Sequence, residues 1–171
     1  FEQFTNAISV GLGGTHEDLD LSLFSGIVAA QFMAEGWTTT PVLPGTVTDV
    51  YFSYDHTEID VAGKTALVNI NFAENPNAVT VNLAGCTGLT GSGSANGQLW
   101  RDNCPAVTTL DASGTNLNLL ASNNGSIRPY FQPNGLKFVN FNGCTIGQFL
   151  LNAWAASLND LGLSNGNLDL R

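Results

Sequence analysis

Leu136-Lys137-Phe138-Val139-Asn140-Phe141-Asn142-Gly143-Cys144-Thr145-Ile146 places apolar residues at positions one, four, six and eleven and a cysteine at nine, the phrase L-x-x-L-x-L-x-x-N/C-x-L. Leu158, Leu161, Leu163, Gly166 and Leu168 keep the same register, as do Val107, Leu110, Ala112, Thr115 and Leu117. Ala78, Val81, Leu83 and Cys86 keep it more loosely, because the closing apolar residue is Leu89, one place late. Positions four and six are two apart, so on a strand they point to one side. Val81 with Leu83, Leu110 with Ala112, Val139 with Phe141 and Leu161 with Leu163 then form two apolar columns. A single segment cannot bury such a pair, whereas stacked neighbours hydrogen-bonded about 4.7–4.9 Å apart can.

The phrases start at 78, 107, 136 and 158, at intervals of 29, 29 and 22 residues. In phrase and spacing this half of the chain resembles the leucine-rich-repeat family, whose repeats run about 20–29 residues. The resemblance implies an α/β solenoid of stacked parallel strands with about four rungs over residues 78–171. An α+β capping segment over residues 1–77 would precede it. Phrase position nine turns the chain inward, where a small polar side chain can satisfy backbone groups stripped of partners by the turn. Here it is Cys86, Thr115, Cys144 and Gly166. Two rungs separate Cys86 from Cys144, so their Cα atoms should lie about 10 Å apart, beyond the roughly 7 Å reach of a disulfide. Both are expected to be free, buried thiols, and Cys104 has no assigned partner.

Upstream, Thr15-His16-Glu17-Asp18 reads as a helix start, with Thr15 as N-cap, running from His16 to Glu35 and ending at Gly36. Gly26 and the strand-like alternation of Leu19 to Leu23 count against it. Pro41, Pro44 and Gly45 mark a break. Beyond it, Val50 to Tyr54, Thr57 to Val61 and Ala66 to Phe72 read as strands, with a turn at Ala62-Gly63-Lys64. Leu67, Ile70, Phe72 and Asn75 match the phrase again, only 11 residues before the Ala78 register, and are expected to be a cap strand pairing with the first rung. Between rungs, Gly147 to Ala155 has the spacing of a short helix, with Phe149, Leu150, Ala153 and Trp154 on one side. Residues 94–100 repeat that arrangement, with Trp100 in the place of Trp154.

The 171 residues are 43% hydrophobic, enough to bury a core. Only 11% are charged, with five Lys and Arg against 14 Asp and Glu, and the formal charge is −9. Phosphate backbones need clustered cations to displace counterions, so nucleic acid and anionic membrane are not expected partners. No stretch of about 18 apolar residues exists to insert in a bilayer. The chain begins at Phe1 and stops inside a phrase, so we expect a processed or longer polypeptide, or a subunit covering the open end.

Chemistry-bearing residues are sparse. A hydrolytic arrangement would have to use His16 or His56, and His56 is the better placed, in Tyr54-Asp55-His56-Thr57-Glu58. No serine is marked to match it, and it reads as a surface turn histidine. Asp49, Asp55, Glu58 and Asp60, and Asp18 with Asp20, match no calcium-loop spacing and read as solvated turn carboxylates. Gly91-Ser92-Gly93 lacks the spacing and lysine of a phosphate loop, and Asn124-Gly125-Ser126 is a glycosylation sequon only in a secretory setting. No cofactor or metal is implied.

What remains is the strand face turned away from the core. Asn82, Asp111 and Asn140 form a column of short amides and a carboxylate beside the exposed ring of Phe138, with Asn142 and Asp160 on the same surface. Such groups lose little rotamer entropy on binding and match sugar hydroxyls or a partner's backbone. The alternative is a solvated face. Scarce Lys and abundant Asn, Thr, Ser and Gly resemble phage tail or virion proteins and bacterial surface proteins. The expected function is non-enzymatic: a recognition or assembly module of an extracellular particle, most of all a phage tail or virion structural protein. Its partners are subunits of a larger assembly. The alternative is a secreted or cell-surface adhesin holding a glycan or host protein, and a hydrolase using His56 is the third class.

Overall fold

Three segments of one pattern organise the first half of the chain: Ile27, Ala30 and Phe32; Val47, Val50 and Phe52; and Leu67, Ile70 and Phe72, each 20 residues after the last. All nine side chains are buried. The last two residues of each trio are two apart and share a side of a strand. In a computed structural model of the chain, residues 9–12, 19–33, 39–52, 56–72, 75–90, 99–100, 106–119, 138–146 and 167–169 are described. The strands are β1 (Ser9–Leu12), β2 (Ala29–Phe32), β3 (Asp49–Phe52), β4 (Glu58–Asp60), β5 (Asn69–Asn71), β6 (Thr80–Asn82), β7 (Leu99–Trp100), β8 (Thr109–Asp111), β9 (Asn118–Leu119), β10 (Phe138–Asn140), β11 (Thr145–Ile146) and β12 (Asn167–Asp169).

They form two five-stranded sheets and a pair. The first sheet has the order β1-β2-β3-β5-β7, the second β12-β10-β8-β6-β4, and β9 pairs with β11. Among the described residues every strand pairing is parallel and there is no helix. From β3 to β8 the chain visits the two sheets alternately. Two parallel neighbours in one sheet need a long crossover. Sending consecutive strands to different sheets shortens each link, so β4 reaches β5 through residues 61–68 alone, by way of two turns.

Inner residues of both sheets belong to one apolar cluster. Phe32 and Phe52 stack with ring centroids 5.4 Å apart, and Asn75 is buried beside them. Its Nδ2 donates to Phe52 O at 3.0 Å and Phe72 O at 2.9 Å, while its Oδ1 accepts from His56 N at 3.3 Å. One side chain thereby satisfies three backbone groups at a corner where no ladder reaches them.

The column expected from the phrase is in register: Val81 pairs with Leu110 and Leu110 with Val139. The next partner of Val139 is Leu168, 29 residues on, which corrects the 22-residue interval drawn to Leu158. Leu161 and Leu163 lie outside the described residues. Two further expectations are corrected. Where a helix from His16 to Glu35 was expected, the chain makes turns at 22–23 and 25–26 and then β2. On a helix Leu19, Leu23 and Ile27 would share a face, yet Leu23 is 88% exposed while Ile27 is buried. The cap strand over 66–72 is β5, and it pairs with β3 and β7 of the first sheet instead of the first rung. The boundary at 77/78 falls between β5 and β6, and β4 pairs with β6 across it. The short helix over 147–155, residues 94–98 of the one expected over 94–100, and the thiol of Cys104 fall outside the described residues; Leu99–Trp100, at the end of the second, is the strand β7 and not helix.

Candidate interaction face

The outward surface of the second sheet consists of two rows. Glu58, Thr80, Thr109 and Phe138 stand in one register row, and Asp60, Asn82, Asp111 and Asn140 in the other, with Asn167 and Asp169 at the corresponding positions of β12. Between them runs the buried line of Ile59, Val81, Leu110 and Val139. Strict parallel register brings Asn82, Asp111 and Asn140 together as expected, with Phe138 on the adjoining row at 36% exposure. Asn142 lies exposed in the turn after β10, and Asp160 falls outside the described residues.

The second row has a local duty that its spacing did not announce. Each oxygen accepts from the backbone N–H two residues on: Asp60 Oδ1 from Ala62 at 3.0 Å, Asn82 Oδ1 from Ala84 at 3.2 Å, Asp111 Oδ1 from Ser113 at 2.9 Å and Asn140 Oδ1 from Asn142 at 3.1 Å. These are Asx turns, which end the strand. Gly63, Gly85, Gly114 and Gly143 follow with φ of 73°, 71°, 65° and 86°, a left-handed conformation that a Cβ opposes. The signal was present four times as Asp/Asn-x-x-Gly. Asn140 Nδ2 also reaches Asp111 Oδ2 at 3.4 Å, joining these two members of the row. Asp20 makes the same turn, and hydrogen bonds from Ser22, side chain first and then backbone, hold its carboxyl below the usual range.

Position nine of the phrase behaves as its chemistry requires. Cys86 Sγ donates to Val61 O at 3.0 Å, and Thr115 Oγ1 to Ala112 O at 2.8 Å. Cys144 Sγ lies 3.1 Å from Thr115 Oγ1 and 3.3 Å from Ala112 O. Both thiols are free, Cys86 buried and Cys144 partly so. Burial pushes the Cys86 thiol up to about 11 and raises that of Cys144. Neither is a ready nucleophile at neutral pH.

His56 is not a surface turn residue. Its side chain is fully buried, edge-on to Phe52 with ring centroids 5.0 Å apart. The cause is register: His56, Ile59, Val61, Lys64 and Leu67 repeat Ala78, Val81, Leu83, Cys86 and Leu89 at an offset of 22, so His56 occupies an inward position. The acidic cluster is divided between sheets. Asp49 lies in β3, bonded by Asn69 Nδ2 and Thr48 Oγ1, each at 2.6 Å, whereas Glu58 and Asp60 lie in β4. No group of three or more His, Cys, Asp or Glu is placed to hold a metal among the described residues.

A second outward row went unread in the sequence. Gln31, Tyr51 and Asn71 stand in register on the first sheet, and Trp100 takes the next position. Tyr51 is 39% exposed. The signal was the 20-residue repeat that carries the row, obscured by reading His16 to Glu35 as helical. No family model, curated protein or solved structure matches the chain.

Proposed function

We propose that the two sheets are successive faces of one leucine-rich-repeat-like solenoid, and that the protein is a non-enzymatic recognition and assembly module of an extracellular particle, most of all a phage tail or virion. One observation carries this reading: the unbroken register of Glu58/Asp60, Thr80/Asn82, Thr109/Asp111 and Phe138/Asn140. A rigid, evenly spaced array of short polar groups is a surface whose order is settled before it binds, so little entropy is lost on contact. Composition supports the setting: few cations and much Asn, Thr, Ser and Gly. The chain should form a symmetric assembly by light scattering and electron microscopy. Phe138→Ala should weaken assembly by roughly tenfold, the effect of losing one central ring. A strictly monomeric chain at all concentrations would sink the reading.

A second reading, an adhesin holding a glycan, is favoured by the row Gln31, Tyr51 and Asn71, which sets a half-exposed ring between two amides. Rings stack on the apolar faces of sugars while amides serve their hydroxyls. Glycan binding lost in Tyr51→Ala, with the chain monomeric, would favour it over assembly.

A further inference from the structure

The strands of the two sheets differ in charge. Those of the first contain a single charged residue, Asp49, whereas those of the second contain Glu58, Asp60, Asp111 and Asp169 and no cation. Asp49 is also engaged: its Oδ1 accepts from Asn69 Nδ2 and its Oδ2 from Thr48 Oγ1, each at 2.6 Å. What the first sheet offers a ligand is therefore mostly uncharged: the half-buried amides of Gln31, Asn69 and Asn71 around the ring of Tyr51, which is 39% exposed. The inner residues of both sheets belong to one apolar cluster, so each outward surface is turned away from that cluster.

Register sets the order on this face. Gln31 stands one strand before Tyr51 and Asn71 one strand after it. Neighbouring strands lie about 4.7–4.9 Å apart, so the row from Gln31 to Asn71 runs about 9–10 Å, longer than one pyranose ring. A sugar stacked on Tyr51 directs its rim hydroxyls toward the strands on either side, where the amides stand. An amide exchanges water for a hydroxyl donor for donor and acceptor for acceptor. A carboxylate pressed against a ligand is stripped of water at far greater cost.

We infer that the first-sheet face holds an uncharged oligosaccharide laid across the strands, along Gln31, Tyr51 and Asn71, and discriminates against acidic glycans. The inference rests on the glycan reading of this row and adds the class of sugar it takes. Asp49 lies two residues before Tyr51 on the same side of β3, so a uronate or sialate carboxylate on the ring meets a like charge. The strands of this sheet supply no Lys or Arg to offset it, and the formal charge of the chain is −9.

Calorimetric titration of the full chain with uncharged hexasaccharides of glucose, N-acetylglucosamine, mannose and galactose, set against hexagalacturonate, tests this. At least one uncharged ligand should bind, and hexagalacturonate should bind on the order of tenfold more weakly at low salt. Tyr51→Ala should weaken the uncharged ligand on the order of tenfold. Tyr51→Phe should keep it, since stacking uses the ring and not the hydroxyl. Leu23→Ala, at an 88% exposed apolar residue outside the row, should leave binding unchanged. On the wild-type chain, magnetisation saturated at the aromatic protons should pass to the axial C–H protons of the bound sugar. Hexagalacturonate bound as tightly as the uncharged ligands, with both lost in Tyr51→Ala, would overturn the inference while leaving the row a glycan site. Uncharged binding that survives Tyr51→Ala would overturn its placement on the first sheet. Silence from all five ligands would remove the glycan reading itself, and light scattering would still report separately on assembly.

Discussion

A methyl group added at Gly88 would sit 2.4 Å from Leu67 O and 2.9 Å from Thr65 O, both backbone atoms of the preceding coil of chain. Neither can retreat without moving the turns that link β4 to β5. Gly88→Ala should therefore cost about 1–3 kcal/mol in urea unfolding, the range for overpacking, while Gly45→Ala, with nothing within 4 Å, serves as control. An equal effect at the two positions would contradict the close stacking. Asn75→Ala removes the partner of three backbone groups at once and should cost about 2–3 kcal/mol. Cys86 supplies a pH test. Its thiol is raised by burial to about 11 in the folded chain, above its ordinary value of 9.0. The unfolded chain therefore releases that proton first, and stability present below about pH 9 is lost as pH rises toward 11, by on the order of 2 kcal/mol. The comparison of wild type with Cys86→Ala isolates this slope, which should flatten in the variant.

At the scale of elements, the columns were legible where spacing alone decides them. Val81, Leu110 and Val139 stand 29 apart in sequence and pair directly. Leu158, Leu161 and Leu163 imitate the phrase closely, but Val139 takes Leu168, which keeps the 29-residue spacing and lacks a strong apolar residue at position one. An apolar pattern reports a side of a strand and says nothing about which copy becomes the neighbour. Asn82, Asp111 and Asn140 stand in one register row, yet nothing in Asn82 or Asp111 taken singly says that Oδ1 is already held by an N–H two residues on. The reading of His56 as exposed failed for a related reason: a titratable residue at an inward register position was weighed by its chemistry instead of its place. Register itself is testable. Cysteines at Thr80 and Thr109 face each other on adjacent parallel strands and should cross-link on mild oxidation, whereas the Thr80 and Phe138 pair, two strands apart at about 10 Å, should not. Bridging of the second pair alone would mean a slipped sheet.

For the whole molecule, the pairing pattern bears on how stability is distributed. Each strand of the second sheet is bonded only to its predecessor and successor in that sheet, β4 to β6 to β8 to β10 to β12. If this sheet is one face of the proposed solenoid, the free energy is close to a sum of unit and nearest-neighbour terms, and damage spreads only to adjacent units before the whole opens. Val139 lies in β10, is buried, and pairs in register with Leu110 and Leu168. Truncation to alanine there should cost about 1–3 kcal/mol, since it removes two buried methyl groups. Hydrogen exchange should quicken first in β10 and β8. Amides of β2 and β3 should keep wild-type protection, because they are bonded to each other and to β1 and β5 in the other sheet, and neither β10 nor β8 bonds to that sheet. If instead every protected amide quickened together and by the same factor, the chain would be opening as one cooperative unit. The proposed solenoid would then have to give way to a globular arrangement in which the two sheets brace each other.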